Sequence, residues 1–420
     1  MKIKIDHIAK IEGHAGFAAD IINGDVAKAR MIVYEGARLL EGILRDRHYY
    51  EVSQISARIC GICPVVHTLT SLMALEAAMN ITISQEAAFL RRLLMLGQLI
   101  NSHALHIFFF SLADFFEIEN DLDLIAKEPE KTSQAISIRN FGNEIIEIIG
   151  GRSIHPLTPC VGGFTKWPEN ETIKKIGETA KKILPEAIAL ADFFAQLNYP
   201  DFSRPTDFVS LADKKEYAIY SGDILLGGAK TETAGQFMPK IIEQQIEEDG
   251  VKRSSFNNNP YMVGAIARLN NNFKNLNPEA KKIWKKTKLK LPSQNTFHNI
   301  LAQAVEIVHC LEEVIGLTKK IPAFLQNNLN RKIQIKAGKG TGAVEAPRGT
   351  LFYFYEVGNN GLIKNCNIIT PTAQNLARLE KDLEIWLPQL KKQGLDEDEI
   401  KKKIKMLIRA YDPCLTCATH

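Results

Sequence analysis

The stretch Arg58-Ile-Cys60-Gly-Ile-Cys63-Pro-Val-Val-His67 runs into an apolar helical segment and has a counterpart at the far end of the chain, Asp412-Pro-Cys414-Leu-Thr-Cys417-Ala-Thr-His420. A C-x-x-C turn lets two thiolates converge on one centre, and two such turns supply four soft sulfur donors. Each pair is followed at short range by a histidine. A structural four-cysteine zinc site is the first alternative. Zinc knuckles, however, set their cysteine pairs about 15 to 20 residues apart and staple small folds, whereas here roughly 350 residues intervene. A site that joins the two ends of a large chain is expected to lie deep in it. Four thiolates also suit nickel, and two of them can bridge to a second metal through spare sulfur lone pairs. Spacing alone does not separate nickel from zinc or iron.

Outward from the first pair, the apolar period is helical. Helices are expected over Glu35 to Arg45, His67 to Met79, Gln85 to Phe116, Ser133 to Ile149, Glu169 to Leu197, Asn295 to Gly316 and Thr372 to Gln393. Residues 2 to 35 read instead as strands, with Asn23-Gly24 suited to a hairpin turn. Breaks rich in Pro or Gly fall at Gly150 to Pro168, Tyr199 to Pro205 and Lys336 to Gly349. Alternation over 208–250 is too weak to assign, and the lysines at Lys401 to Lys405 read as a solvated helix face. With no repeat and no linker, the expectation is one domain over 1–420. It is mainly α in an α+β class, a central bundle of long helices (36–420) with a small N-terminal β element (1–35).

The 420 residues are 45% hydrophobic and 24% charged, and a net charge of +4 without a long basic block gives a nucleic-acid partner little support. The stretch Leu93 to Phe116 is the best membrane candidate, but Asn101, Ser102, His103, His106 and Asp114 interrupt it, so a buried core helix is expected. Met1-Lys-Ile-Lys-Ile-Asp6 has neither a secretory signal nor a twin arginine, which predicts a cytoplasmic protein. An odd number of cysteines, seven, in a reducing compartment speaks against a disulfide framework.

The two cysteine segments resemble the signatures of nickel-iron hydrogenase large subunits, and the resemblance extends from Ile8 to His420. It implies reversible heterolytic cleavage of H2 at a nickel–iron centre whose iron carries carbon monoxide and cyanide. By the same resemblance Cys60 and Cys414 are terminal nickel ligands, and Cys63 and Cys417 bridge to iron. Ile11-Glu12-Gly13-His14 is similar to the block whose glutamate relays protons from the terminal thiolate. Arg38-Leu-Leu-Glu41 is similar to a block whose glutamate binds magnesium. His420 and the carbonyl of Ile368 would complete that site. Glu345-Ala-Pro347-Arg348-Gly349 resembles the element that hangs a guanidinium over the metals, with Asp412 as its carboxylate partner. Thr372, after Pro371, holds the place of a donor to cyanide, and His67 that of a donor to a bridging thiolate. Gly150-Gly-Arg152, His155-Pro156 and Gly162-Gly163 also recur and shape the surroundings. Ser102 departs from the aspartate that many respiratory members have near the arginine.

Cys160, Cys310 and Cys366 are too scattered to bind an iron–sulfur cluster. An iron–sulfur small subunit is therefore implied. The wording of both cysteine segments is closest to soluble multi-subunit members, which adds electron-transfer subunits linked to flavin, nicotinamide or heterodisulfide chemistry. Relatives are trimmed by a maturation endopeptidase after the final histidine, so an end at His420 fits the processed form or a chain encoded without an extension. The rival readings are a zinc-stapled scaffold, a respiratory-complex subunit that abandoned the metal, and a hydrogen sensor.

Overall fold

The helix that follows the first cysteine pair begins at Pro64, whose missing N–H costs nothing at a first helical position. It runs to Met79 (α1) and stops at Asn80, which takes a left-handed φ of 55°. The structure is a computed structural model that describes residues 2–22, 25–228, 230–246, 250–321 and 333–420.

Strands β1 (Lys2–Ile5), β2 (Ala15–Ile22) and β3 (Asp25–Val33) form the expected N-terminal antiparallel sheet in that order. Ile3, Ile5, Phe17 and Met31 point into the core. The Asn23-Gly24 turn lies outside the described residues. The body is helical, as expected: α2 (Gln85–Ala104), α3 (Pro129–Gly150), α4 (Asn170–Phe194), α5 (His298–Thr318), α6 (Pro371–Lys392) and α7 (Glu397–Ala410). Helix α2 packs on α3 and α5, and α5 packs on α4. Past α2 the backbone widens into a π-helical stretch, Leu105–Ser111, before the short helix Leu112–Phe115. The whole run Gln85–Phe115 is long and apolar enough to cross a membrane, but 78% of its most apolar window is buried within the fold.

The structure differs from these expectations at four places. The helix proposed over Glu35 to Arg45 shrinks to Leu40–Leu44, because the C-terminal tail takes the backbone ahead of it. Arg38 N donates to Thr419 O (2.8 Å), and Leu39 adopts φ 52°. An unforeseen helix, Tyr49–Ser56, follows. The unassigned stretch 208–250 supplies strands to two antiparallel pairs, Val209–Ala212 with Asp223–Leu226 and Ile241–Gln245 with Lys252–Phe256.

The largest correction concerns Lys336 to Gly349, read as a Gly-rich break. It contains strand β4 (Gly338–Ala346), which joins β5 (Gly349–Val357) and β6 (Ile363–Ile369) in a second antiparallel sheet. The glycines recur at every second residue because that face of β4 lies directly on α1. A Cβ at Gly340 would sit 2.1 Å from Ala78 N, and one at Gly342 2.7 Å from Thr70 O. The β4–β5 register pairs Ala346 with Gly349, so Pro347 and Arg348 form a two-residue hairpin tip. Gly349 sits at φ 134°, with Val263 Cγ2 2.3 Å from where a Cβ would be. Only glycine fits there.

Candidate metal centre

Three segments converge at the buried end of α1. Cys60 follows a short 3-10 turn, and the backbone amides of Ile62 and Cys63 point at its sulfur at 3.3 and 3.4 Å. Cys63 caps α1, where the positive end of the helix favours a thiolate. From the other end of the chain, Asp412 turns the backbone at φ 52° and delivers Cys414 and Cys417. The N-terminal loop lies alongside: Leu415 N donates to Glu12 O (3.0 Å). All four sulfurs are buried and lie within 4.8 Å of one another. Cys60 is 3.5 Å from Cys414, and Cys63 is 3.6 Å from Cys417.

Such a cluster cannot carry four negative charges by itself. Hydrogen bonds from the other cysteines, Cys414 first, hold Cys60 well below the ordinary thiol range, while burial pushes Cys414 and Cys417 well above it. Four thiolates here require metal cations among them, and the donor set fits soft or borderline metals.

The groups around the sulfurs are oriented by hydrogen bonds. Cys414 Sγ is 3.0 Å from Glu12 Oε2, and the Glu12 carboxylate is held from Thr416 by its amide (3.1 Å) and its hydroxyl (2.5 Å). Glu12 is half-buried and stands between the sulfurs and the surface. Burial lowers His67 to about 3, so the ring is neutral. Burial likewise raises Tyr353, which stays protonated, and its hydroxyl lies 2.7 Å from His67 Nδ1. When that hydroxyl donates, the ring proton sits on Nε2, 3.5 Å from Cys417 Sγ. Thr372 Oγ1 accepts from Cys414 N (2.9 Å) and keeps its own proton to give.

Arg348 reaches the cluster from the hairpin tip. Its Nε donates to Asp412 Oδ1 (2.9 Å) and to Asp412 O (2.8 Å), while Nη1 is buried with no partner among the described residues. Burial opposes its charge, but Asp412 and then the cysteines more than offset this and keep it a cation. Pro347, Arg348, His67, Thr372 and the cysteines other than Cys60 line one small cavity. Larger clefts elsewhere contain none of these groups.

Glu41, Ile368 and His420 also come together. Glu41 Oε1 accepts from Ile368 N (2.8 Å), and His420 Nε2 lies 2.8 Å from Ile368 O and 3.9 Å from Glu41 Oε1. His420 is buried, although it is a terminal residue. Ser102 is buried and its hydroxyl has no partner among the described residues. His155 Nδ1 donates to Ala57 O (3.0 Å), tying the 150–163 loop to the first cysteine segment.

Some residues of the centre were not singled out from the sequence. Arg38 bonds the carbonyls of Ile59 (2.7 Å) and Thr416, clamping one cysteine segment to the other. Thr416 holds Glu12, Tyr353 bonds His67, and Arg268, Gln303 and Glu306 stand behind Arg348. The available signal was a polar stripe, Gln303, Glu306 and His309, at three-residue spacing along the apolar middle of the helix.

A family model described as nickel-dependent hydrogenase matches residues 38–144 and 201–420. Sulfhydrogenase 1 subunit alpha of Pyrococcus furiosus is 34% identical over 100% of this chain and 98% of its own length. Sulfhydrogenase 2 subunit alpha of the same organism is 32% identical over 100% and 99%. Among solved structures, an NAD+-reducing NiFe-hydrogenase in the H2-reduced state superposes with a TM-score of 0.88 at 28% identity, covering 100% of this chain and 99% of the other. The Ni-Fe-Se hydrogenase of D. vulgaris Hildenborough shares the fold, with a TM-score of 0.77, 24% identity and full coverage of both chains, 100% each.

Proposed function

The chain belongs to the nickel-dependent hydrogenase family as a catalytic large subunit acting on H2, and we propose how its own residues serve that reaction. Cys60, Cys63, Cys414 and Cys417 would hold a nickel–iron pair, with Cys60 and Cys414 as terminal nickel ligands and Cys63 and Cys417 as bridges. When bound, that pair, its iron bearing carbon monoxide and cyanide, supplies the heterolytic splitting of H2. The free hydroxyl proton of Thr372 and the unpartnered Nη1 of Arg348 support donors aimed at such a group. The neutral His67 would donate to the Cys417 thiolate and tune its electron density.

Proton transfer begins at Cys414. Its sulfur takes the proton and passes it to Glu12 Oε2, 3.0 Å away, from which the half-buried carboxylate releases it outward. Arg348 remains charged and so acts as a fixed cation rather than a base, with Asp412 holding it. Glu41, His420 and the Ile368 carbonyl would bind a magnesium ion, a hard cation suited to carboxylate and carbonyl oxygen, and lock the tail against the body.

The electrons leave through a partner. Cys160, Cys310 and Cys366 lie apart, and the four-cysteine cluster is the one metal-ligating group of its kind among the described residues. That supports an iron–sulfur small subunit, with flavin-, nicotinamide- or heterodisulfide-linked subunits beyond it. Leu39 and Tyr50, 71% and 60% exposed beside the first cysteine segment, are apolar surface that such a partner would cover. None of the seven cysteines is in a disulfide, in keeping with work in the reducing cytoplasm.

The observation that carries this reading is a carboxylate 3.0 Å from one of four sulfurs drawn from opposite ends of the chain. Isotope exchange between D2 and water tests it. Protein holding both metals exchanges, and Glu12→Gln keeps both metals while exchange slows by ~100-fold. Metal-loaded protein with no exchange would overturn the activity, and unchanged exchange in Glu12→Gln would overturn the relay alone.

A further inference from the structure

Two histidines at the end of α2 and just beyond it face two polar residues of α5 in antiparallel register. His103 Nε2 lies 2.8 Å from Glu306 Oε2, and His106 Nδ1 lies 2.5 Å from Gln303 Oε1. All four are buried. Each pair begins a chain of hydrogen bonds that ends at the Arg348 hairpin tip.

The first chain holds backbone. Glu306 takes both arms of Arg268 at 2.7 and 2.6 Å, and Arg268 donates to the carbonyls of Ala346 (2.9 Å) and Pro347 (3.1 Å), the two residues before Arg348. The second chain holds the guanidinium. Gln303 Nε2 donates to Asp412 Oδ2 (3.0 Å), and Asp412 Oδ1 accepts from Arg348 Nε (2.9 Å).

The second chain matters more for orientation. A carboxylate torsion is broad and roughly two-fold, so one bond from Arg348 leaves the Asp412 plane loosely defined. A donor on the other oxygen fixes it. Gln303 supplies that donor only if its amide nitrogen faces Asp412, and a primary amide can flip. Its carbonyl oxygen must therefore be claimed from behind, and His106 does this by donating from Nδ1. With Nδ1 as the donor, His106 Nε2 accepts from the Ser111 hydroxyl (3.1 Å) within the π-helical stretch, and Arg409 O lies 2.8 Å from the same nitrogen.

We propose that Gln303 and His106 are positioning residues for Arg348. They lock the Asp412 carboxylate and so keep the guanidinium aimed at the sulfur cluster. This rests on the placing of Arg348 over the metal pair proposed above. A side chain misplaced by about 1 Å can cost on the order of 100-fold in rate.

The test uses the metal-loaded holoenzyme with its partner subunits. It reads kcat and KM for H2, nickel content, and the infrared bands of metal-bound carbon monoxide and cyanide. Gln303→Leu is expected to retain nickel and a KM within about twofold, while kcat falls on the order of tenfold and the bands shift. The histidine variants separate positioning from packing. In His106→Asn the amide nitrogen replaces Nδ1, the donor to Gln303 survives, and kcat recovers towards the parent value. In His106→Gln it replaces Nε2 instead, the donor to Gln303 is lost, and kcat falls as in Gln303→Leu. Parent kcat and bands in Gln303→Leu, or the two His106 variants behaving alike, would overturn the proposal. Should Gln303→Leu fail to retain nickel, the His106 pair decides. Arg348→Lys is the reference. If it loses kcat while Gln303→Leu does not, only this inference fails; if neither loses kcat, the role of Arg348 fails with it.

Discussion

His298 and His309 are imidazoles that burial holds at about 4, below an ordinary 6.5. His309 Nδ1 accepts from Asn277 N (3.2 Å), a bond that protonation destroys, and His298 Nδ1 is 2.7 Å from Ser293 Oγ. Above pH 6.5 these rings are neutral in both folded and unfolded chains. As pH falls from 6.5 to about 4, the unfolded chain takes up protons that the native one refuses, so stability declines through that window and the slope relaxes below it. Each ring contributes up to ~1.4 kcal/mol per pH unit. Urea denaturation at pH 7 and 5 should show the decline, and the double variant His298→Asn, His309→Asn should make it shallower; an unchanged slope contradicts the assignment. At this scale the sequence was legible where chemical type stands out. Cys60, Cys63, Cys414, Cys417, Glu12, Arg348, His67 and Thr372 all meet at one centre. Gln303, Glu306 and Arg268 were not legible, because nothing short of the helix register says that they end at Arg348.

Strand β4 shows how an element hides in a sequence. Glycines are depleted in ordinary strands, so Gly338, Gly340 and Gly342 read as a loop. Their spacing instead lets the strand lie on the backbone of α1. Gly340→Ala would place a Cβ 2.1 Å from Ala78 N, against a helix backbone that cannot turn aside. The expected loss is about 3 kcal/mol in denaturant unfolding. A loss under ~0.5 kcal/mol, the range of neutral surface changes, would show that β4 does not seat on α1 this way. The long helices were legible, because their apolar period extends over many residues. The short Leu40–Leu44 was over-read because its neighbours are bonded to the C-terminal tail, a contact between residues far apart in sequence. The π-helical stretch was invisible for a similar reason, since its histidine is turned by partners on α5 and at Arg409.

Across the whole molecule, the two ends of the chain are structural as well as chemical neighbours. Arg38 bonds Ile59 O and Thr416 O, Glu12 pairs with the segment at Cys414, and His420 is buried against Ile368. This closure makes the centre an all-or-none object, because Arg38 clamps the two cysteine segments together and Glu12 holds the second of them. Elemental analysis of anaerobically purified protein tests this most directly. Nickel is expected with iron at least equal to it, and nickel is expected to be lost in Cys63→Ala, which removes one proposed bridge. Zinc without nickel, or nickel retained after that substitution, would contradict the shared centre.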